Sequence, residues 1–313
     1  MAAPPRGLIA EVLTPLTDPG RAARLDGPGL TALIARACPH CQALLIAGPL
    51  CGQGPLLSQN LWRRALRTAL EAVPPEVPLL AGLTASSSAE TLERARWLAR
   101  QAKDREVWGL DLALFHHSNR GLPAHLDELA SALGRPVMLM NHPGLVGARS
   151  KGAKRANLMT SVLAKCAASG ALAGLVYSGG LRLGLGLQRA LRQPPGQAEP
   201  VFYDGQESAF LARPAAGGVL SQGAGLLPAD WALVAGQSLA GGQAPPPQER
   251  AELMSAAARI SRLAELLAPA PAGVAAFVAH RAGLIAFSRV LAPPPGVRAL
   301  AAAESWAQEN WPS

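Results

Sequence analysis

Several residue types able to bind metal or move protons follow short apolar runs of this chain. Cys51, His116, His117, His142, Tyr177 and Asp204, with Glu207 close behind, are spread over five such places. Imidazole, thiolate and carboxylate together can hold zinc or a similar ion, because catalytic zinc takes three such ligands and leaves one position open. A metal-assisted lyase or hydrolase is the chemistry that set would support. Ligands carried on different elements need convergent geometry that spacing alone does not supply. Packing is therefore the plainer reading for His116 and His117, a polar turn the plainer one for His142 before Pro143, and no metal is expected.

Two further motifs invite chemistry and sit in the wrong context for it. Cys38-Pro39-His40-Cys41 has the spacing of thiol oxidoreductases, which lower a thiol pKa at a helix N-terminus. Here the motif follows a helical stretch, so the dipole disfavours thiolate. The run Gly179-Gly180-Leu181-Arg182-Leu183-Gly184-Leu185-Gly186 is neither a P-loop nor a well-placed GxGxxG, and Arg182 reads as a solvated residue at a helix start.

The elements that must position these residues are legible as alternating strands and helices. Strand candidates are Leu8 to Leu16, Ala43 to Gly48, Pro78 to Leu83, Gly109 to His117, Pro136 to Asn141, Leu172 to Ser178, Pro200 to Asp204 and Gly218 to Gly223. Helical spacing of apolar residues marks Gln59 to Ala72, Ala89 to Lys103 and Ala153 to Ala168 between them. Runs such as ALLIAG and PVMLMN do not alternate, as expected of strands covered on both faces. Eight βα units predict an α/β fold, a (β/α)8 TIM barrel over residues 1–240, whose site lies at the C-terminal ends of the strands. A Gly/Pro-rich linker, Ala240 to Gln248, leads into a C-terminal helical extension over 241–313, part of the same unit, with helices expected at Glu249 to Leu267, Gly273 to Val290 and Val297 to Trp311.

Composition narrows the function classes. The chain has 313 residues, 49% of them hydrophobic and 16% charged, with no apolar run near the roughly 18 residues a bilayer helix requires. Four cysteines do not make a disulfide framework at this length, and no apolar stretch follows MAAPPRG, so a cytoplasmic protein without membrane contact is expected. The net charge of +8 is scattered, aromatics are only 4%, and the one compact basic run is Ser150 to Arg155, so nucleic acid is not an expected partner.

Several segments, in order, resemble the dihydrodipicolinate synthase and N-acetylneuraminate lyase family of lysine-dependent barrel aldolases. Leu13-Thr14-Pro15-Leu16 with Leu25-Asp26 is similar to the family's TPF and following D. Ala81-Gly82-Leu83-Thr84 with Ser86 to Thr91 resembles its third strand and helix start. Pro136-Val137-Met138-Leu139-Met140-Asn141-His142-Pro143-Gly144 is similar to PVxLYNxPG, and Gly217 to Ser221 to GxxGxIS. The resemblance covers most of residues 8–300 and implies a barrel, a homo-oligomer (dimer or tetramer), no cofactor, and a small-molecule ligand.

It also implies a Schiff-base lysine, a proton-relaying tyrosine and a carboxylate-binding arginine, and the sequence departs at each. Val176, in Gly174-Leu175-Val176-Tyr177-Ser178-Gly179, stands at the lysine position, Met140 at the tyrosine and Leu145 at the arginine. The family's GTTGE loop is matched by Gly48-Pro49-Leu50-Cys51-Gly52-Gln53, so Pro49 and Leu50 replace its two hydroxyls. Ser221 completes the equivalent pocket positions. Only Lys103, Lys151, Lys154 and Lys165 are available, none at a strand end. The expectation is a divergent or inactive relative with an apolar pocket floor. A site built on Cys51, His116, His117, His142, Tyr177 and Asp204 is the alternative enzyme, and a non-catalytic binding protein, with the mouth filled by its own side chains, is the third reading.

Overall fold

A computed structural model describes residues 3–17, 23–102, 105–149, 156–194, 198–240 and 246–311. Eight parallel strands close into a barrel in sequence order: β1 (Gly7–Glu11), β2 (Ala43–Ile46), β3 (Leu79–Gly82), β4 (Val107–Leu112), β5 (Val137–Asn141), β6 (Leu172–Tyr177), β7 (Val201–Asp204) and β8 (Gly218–Ser221). Closure runs through Gly7↔Gly218, Leu8↔Val219, Ile9↔Leu220 and Ala10↔Ser221. Gly218 has φ +114°, and a Cβ there would sit 1.9 Å from the Gly7 carbonyl oxygen, so only glycine lets the first and last strands meet this closely.

The helices outside the barrel are α1 (Gly27–Ala37), α2 (Gln59–Ala72), α3 (Ser88–Gln101), α4 (Leu122–Leu133), α5 (Pro143–Arg149), α6 (Thr160–Ala168), α7 (Leu181–Ala190), α8 (Glu207–Ala212) and α9 (Pro228–Leu239). Their starts carry local signals: Asp26 accepts from the Gly29 amide at 2.9 Å, Ser58 from Leu61 at 3.3 Å and Ser87 from Glu90 at 3.2 Å. The extension comprises α10 (Pro247–Leu267), α11 (Pro271–Arg281) and α12 (Val297–Asn310). Asp230 on α9 receives two hydrogen bonds from Arg259 on α10, at 2.7 and 2.8 Å, which helps fix α10 against the barrel.

Two apolar layers follow from the strand alternation. Ile9, Leu45, Leu80, Leu110, Met138, Val176, Tyr203 and Leu220 fill the barrel interior. Residues of opposite parity, such as Leu8, Leu44, Leu139 and Leu175, pack against helix residues including Trp62, Phe210 and Trp231. With both faces buried, the strands cannot alternate apolar with polar.

Beyond shifts of one or two residues, boundaries differ from expectation at β1, β4, α11 and α6. β1 ends at Glu11, and Leu16 instead bridges Leu25 and Arg289. β4 spans Val107–Leu112, not Gly109 to His117, because Leu114 takes φ +64° and turns the chain. α11 stops at Arg281, followed by Gly283 at φ +69°. α6 starts at Thr160; the basic run Ser150 to Arg155, with Lys151 and Lys154, lies outside the described residues, as do Lys103 and part of the Ala240 to Gln248 linker. Among the described residues, no helix is long and apolar enough to cross a membrane.

Candidate functional site

The C-terminal ends of the strands are where a barrel of this kind assembles a site. Here the floor is apolar. Val176 at the end of β6 and Met140 on β5 are fully buried and pack with Leu112, Tyr203 and Leu220. Leu50, Phe115 and Leu145, from the segments after β2, β4 and β5, pack onto this cluster from above. Pro49 is buried in the β2 loop. Ser221 has no exposure, and its hydroxyl donates to Glu207 at the start of α8.

One acidic group enters that apolar end. Glu11, the last residue of β1, is fully buried, and its Oε1 accepts hydrogen bonds from the backbone amides of Leu50 (2.8 Å) and Gly52 (3.0 Å). Oε2 is buried without a partner among the described residues. Burial pushes the carboxyl up to about 7, opposed by the loop amides and reinforced by the nearby charge of Glu207. Burial raises Glu207 as well, although it accepts from Ser221 and from the Gly223 amide at 2.7 Å. The thiol of Cys51 is driven well above its usual value by burial and by these two carboxylates. Sequence reasoning passed over Glu11 as part of an apolar run; a lone acid at an inward position of a strand was the available signal.

The histidine, cysteine, tyrosine and aspartate residues weighed as an alternative site do not come together. His116 and His117 lie in the turn after β4, with His116 Nε2 3.2 Å from the Ala85 carbonyl and His117 Nε2 3.0 Å from the Ser88 hydroxyl. His142 Nδ1 accepts from the Leu145 amide at 3.1 Å. Tyr177 belongs to the strand-helix layer, next to Phe202 and Gly184, and donates to the Gly180 carbonyl at 2.9 Å. Asp204 accepts from the Ala215 amide at 2.8 Å. Among the described residues no group of three His, Cys, Asp or Glu side chains is placed to share a metal ion.

A second polar cluster sits between β4 and α4. Asp111 receives the Thr84 hydroxyl at 2.5 Å and lies 3.2 Å from His125 Nε2, and the His125 ring stacks on His117 with centroids 4.1 Å apart. Burial and the neighbouring His125 lower the pKa of His117. Neither Asp111 nor His125 was singled out in the sequence. Asp111 is again a lone acid in an apolar strand, and His125 shares the buried face of Leu122, Leu126 and Leu129.

A Schiff base needs an amine at the strand ends, and the described lysine, Lys165, lies exposed on α6. Arg94 on α3, which reaches the β2 loop, is taken up by structure: it donates to the carbonyls of Gly54, Thr84 and Leu57 at 3.0, 2.7 and 2.7 Å.

No family model matches the chain. A 4-hydroxy-tetrahydrodipicolinate synthase of Kineococcus radiotolerans is 32% identical over 144 residues, 45% of this chain and 44% of that protein. That of Acidothermus cellulolyticus is 30% identical over 143 residues, again 45% and 44%. The chain matches about half the length of these curated relatives. In fold it is similar over nearly its whole length to a dihydrodipicolinate synthase of Cyanidioschyzon merolae (TM-score 0.79, 20% identity, 97% of both chains). It is likewise similar to a Ruminococcus gnavus sialic acid aldolase (TM-score 0.76, 14% identity, 97% of this chain and 96% of the other). The resemblance read from the motifs therefore holds in sequence over part of the chain and in fold over nearly all of it.

Proposed function

We propose that this dihydrodipicolinate synthase-like barrel does not carry out pyruvate Schiff-base chemistry and acts as a divergent, non-catalytic relative of the lysine-dependent aldolases. The observation that carries this reading is Val176: it stands at the end of β6, fully buried among apolar neighbours, with no amine to attack a keto acid. Met140 and Leu145 beside it can neither relay a proton nor hold a carboxylate. Fold and chemistry separate readily in a barrel, because the residues that build its layers differ from those at its strand ends.

The covering of the floor by Leu50, Phe115 and Leu145 favours a scaffold or interaction role over turnover of a polar substrate. A ligand that entered here would be small and weakly charged. The proposal includes a cytoplasmic homo-oligomer formed of units in which the barrel, 1–240, and the extension, 241–313, act together. A dimer or tetramer is expected by light scattering. One solved dihydrodipicolinate synthase is a monomeric variant, so assembly is a property to be measured for this chain.

The direct test is intact mass after incubation with pyruvate and borohydride, which fixes a Schiff base as a stable adduct on its lysine. No adduct is expected, beside an active aldolase that gains one. An adduct at a single lysine would overturn the reading.

A further inference from the structure

The opposite end of the barrel, where the strands begin, is not filled in the same way. Between β5 and β6 the register shifts: Val137 pairs with Leu172 and Met138 with Gly174, which leaves Ala173 as an extra residue on β6. A bulge of this kind kinks its strand and re-aims the side chains around it. Ala173 accordingly joins the interior layer with Trp108 and Val201. Gly174 beside it faces inward too, since a Cβ there would lie 3.1 Å from the Tyr203 ring. β6 thus puts a methyl group and a hydrogen where barrels usually stack bulky branched side chains. A cavity of about 550 Å³ opens at this end, lined in part by Trp108, Leu172, Ala173 and Val201 and within the size range of small-molecule sites.

The polar groups around this cavity are mostly acceptors. Pro4, Pro136 and Pro200 line it and have no N–H to donate. Ala167 and Ala168 bring the C-terminal end of α6 to the wall, where a helix leaves its final carbonyls free and presents the negative end of its dipole. Glu199 adds an exposed carboxylate. Trp108 adds an aromatic ring, a surface that attracts cations, and its own Nε1–H is already given to Glu106 at 3.0 Å. Among the described lining residues Arg6 is the one cationic side chain, and it is exposed. The N-terminal arm closes one side: the buried Tyr203 hydroxyl donates to the Pro5 carbonyl at 2.6 Å and so ties the arm to β7.

We propose that this cavity binds a small hydrophobic amine. Its ring or alkyl body lies between Trp108, Leu172 and Val201, and its ammonium group is held by Glu199 and the carbonyls at the end of α6. An acceptor-rich wall needs a ligand that donates, and an apolar interior needs a body that asks for no hydrogen bonds. A carboxylate in the same place would meet Glu199 and the negative end of α6, with Arg6 alone in its favour. The cavity is at the far end of the barrel from Val176, so the amine site stands independently of the Schiff-base reading.

The experiment titrates the protein at neutral pH and equal ionic strength with phenethylamine, with 2-phenylethanol and with 3-phenylpropionate, three compounds that share a ring and differ in charge. Phenethylamine is expected to raise Tm saturably by about 2–4 °C, and the alcohol and the acid by less than half as much. Glu199→Gln, a change at an exposed position, is expected to weaken phenethylamine about three- to fivefold. Ala173→Leu, which fills the bulge, is expected to abolish the shift. Should that variant fail to fold, the wild type gives the location directly, because the indole N–H resonance of Trp108 is expected to move during the phenethylamine titration. No saturable shift from phenethylamine, equal shifts from all three compounds, an undiminished affinity in Glu199→Gln, a folded Ala173→Leu that still binds, or a stationary Trp108 signal overturns the proposal.

Discussion

Asp111 and His125 meet in the layer between β4 and α4 with Oδ2 3.2 Å from Nε2 and only 2% of either side chain exposed. Thr84 completes the arrangement by donating to Asp111 while accepting from the Leu112 amide at 2.8 Å. Removing one member leaves the others buried and unpaired, which costs more than the interaction contributes net. Asp111→Ala is therefore expected to lose about 3 kcal/mol in urea unfolding. The double variant Asp111→Val, His125→Leu should lose less than the two single changes added together, because no orphaned partner remains. Additive losses would show that the pair is not coupled.

Stability should fall as pH rises through the weakly acidic range. The Glu11 carboxyl is raised from 4.5 in the unfolded chain to about 7 in the fold. Below about pH 4.5 it is protonated in both states, and its full contribution is present. Between the two values the unfolded state ionises first, so stability is lost as pH climbs to about 7, by about 3 kcal/mol at most, and then levels off. Glu207, also raised, acts in the same direction. In denaturant titrations at several pH values, Glu11→Gln should show a clearly shallower slope than the wild type; identical slopes would remove Glu11 as the cause.

The CxxC motif should be chemically quiet. Cys38 opens the 3-10 turn Cys38–His40 and Cys41 follows it, directly after α1 at the C-terminal end of that helix. Burial raises Cys38, and pushes Cys41 up to about 12 with the Cys38 thiol adding to the shift. Thiolate is the reactive form, so alkylation by iodoacetamide at about pH 8 should run at least about tenfold slower in the native protein than in the unfolded chain. Fast native labelling of Cys38 or Cys41 would restore the redox reading.

The barrel was legible because strands covered on both faces leave unbroken apolar runs, and all eight such runs became strands. What could not be read were features set by single backbone angles or by contacts distant in sequence. The positive φ of Leu114 ended β4 early and carried His116 and His117 out of the strand. Glu11 was hidden for a related reason: its partners, Leu50 and Gly52, lie about forty residues away on a loop whose turn depends on Ala47 and Gln53. By contrast the absence of an amine at Val176 was visible directly, since a residue's identity needs no geometry. Tyr177 and Asp204 do stand at strand ends, but strand parity turns them towards the helix layer, opposite to the inward Val176 and Tyr203.

The side-chain oxygen of Gln53 accepts from the amides of Leu291 and Ala292, at 2.6 and 3.1 Å, and Leu16 bridges Arg289 nearby. This clasp joins the stretch between α11 and α12 to the same turn that encloses Glu11. The last quarter of the polypeptide and the entrance of the barrel are thus mechanically in series. A truncation ahead of residue 289, or a bulky fusion that strains that stretch, would pull on the turn as directly as a substitution within it. The tail is part of the lock on the doorway.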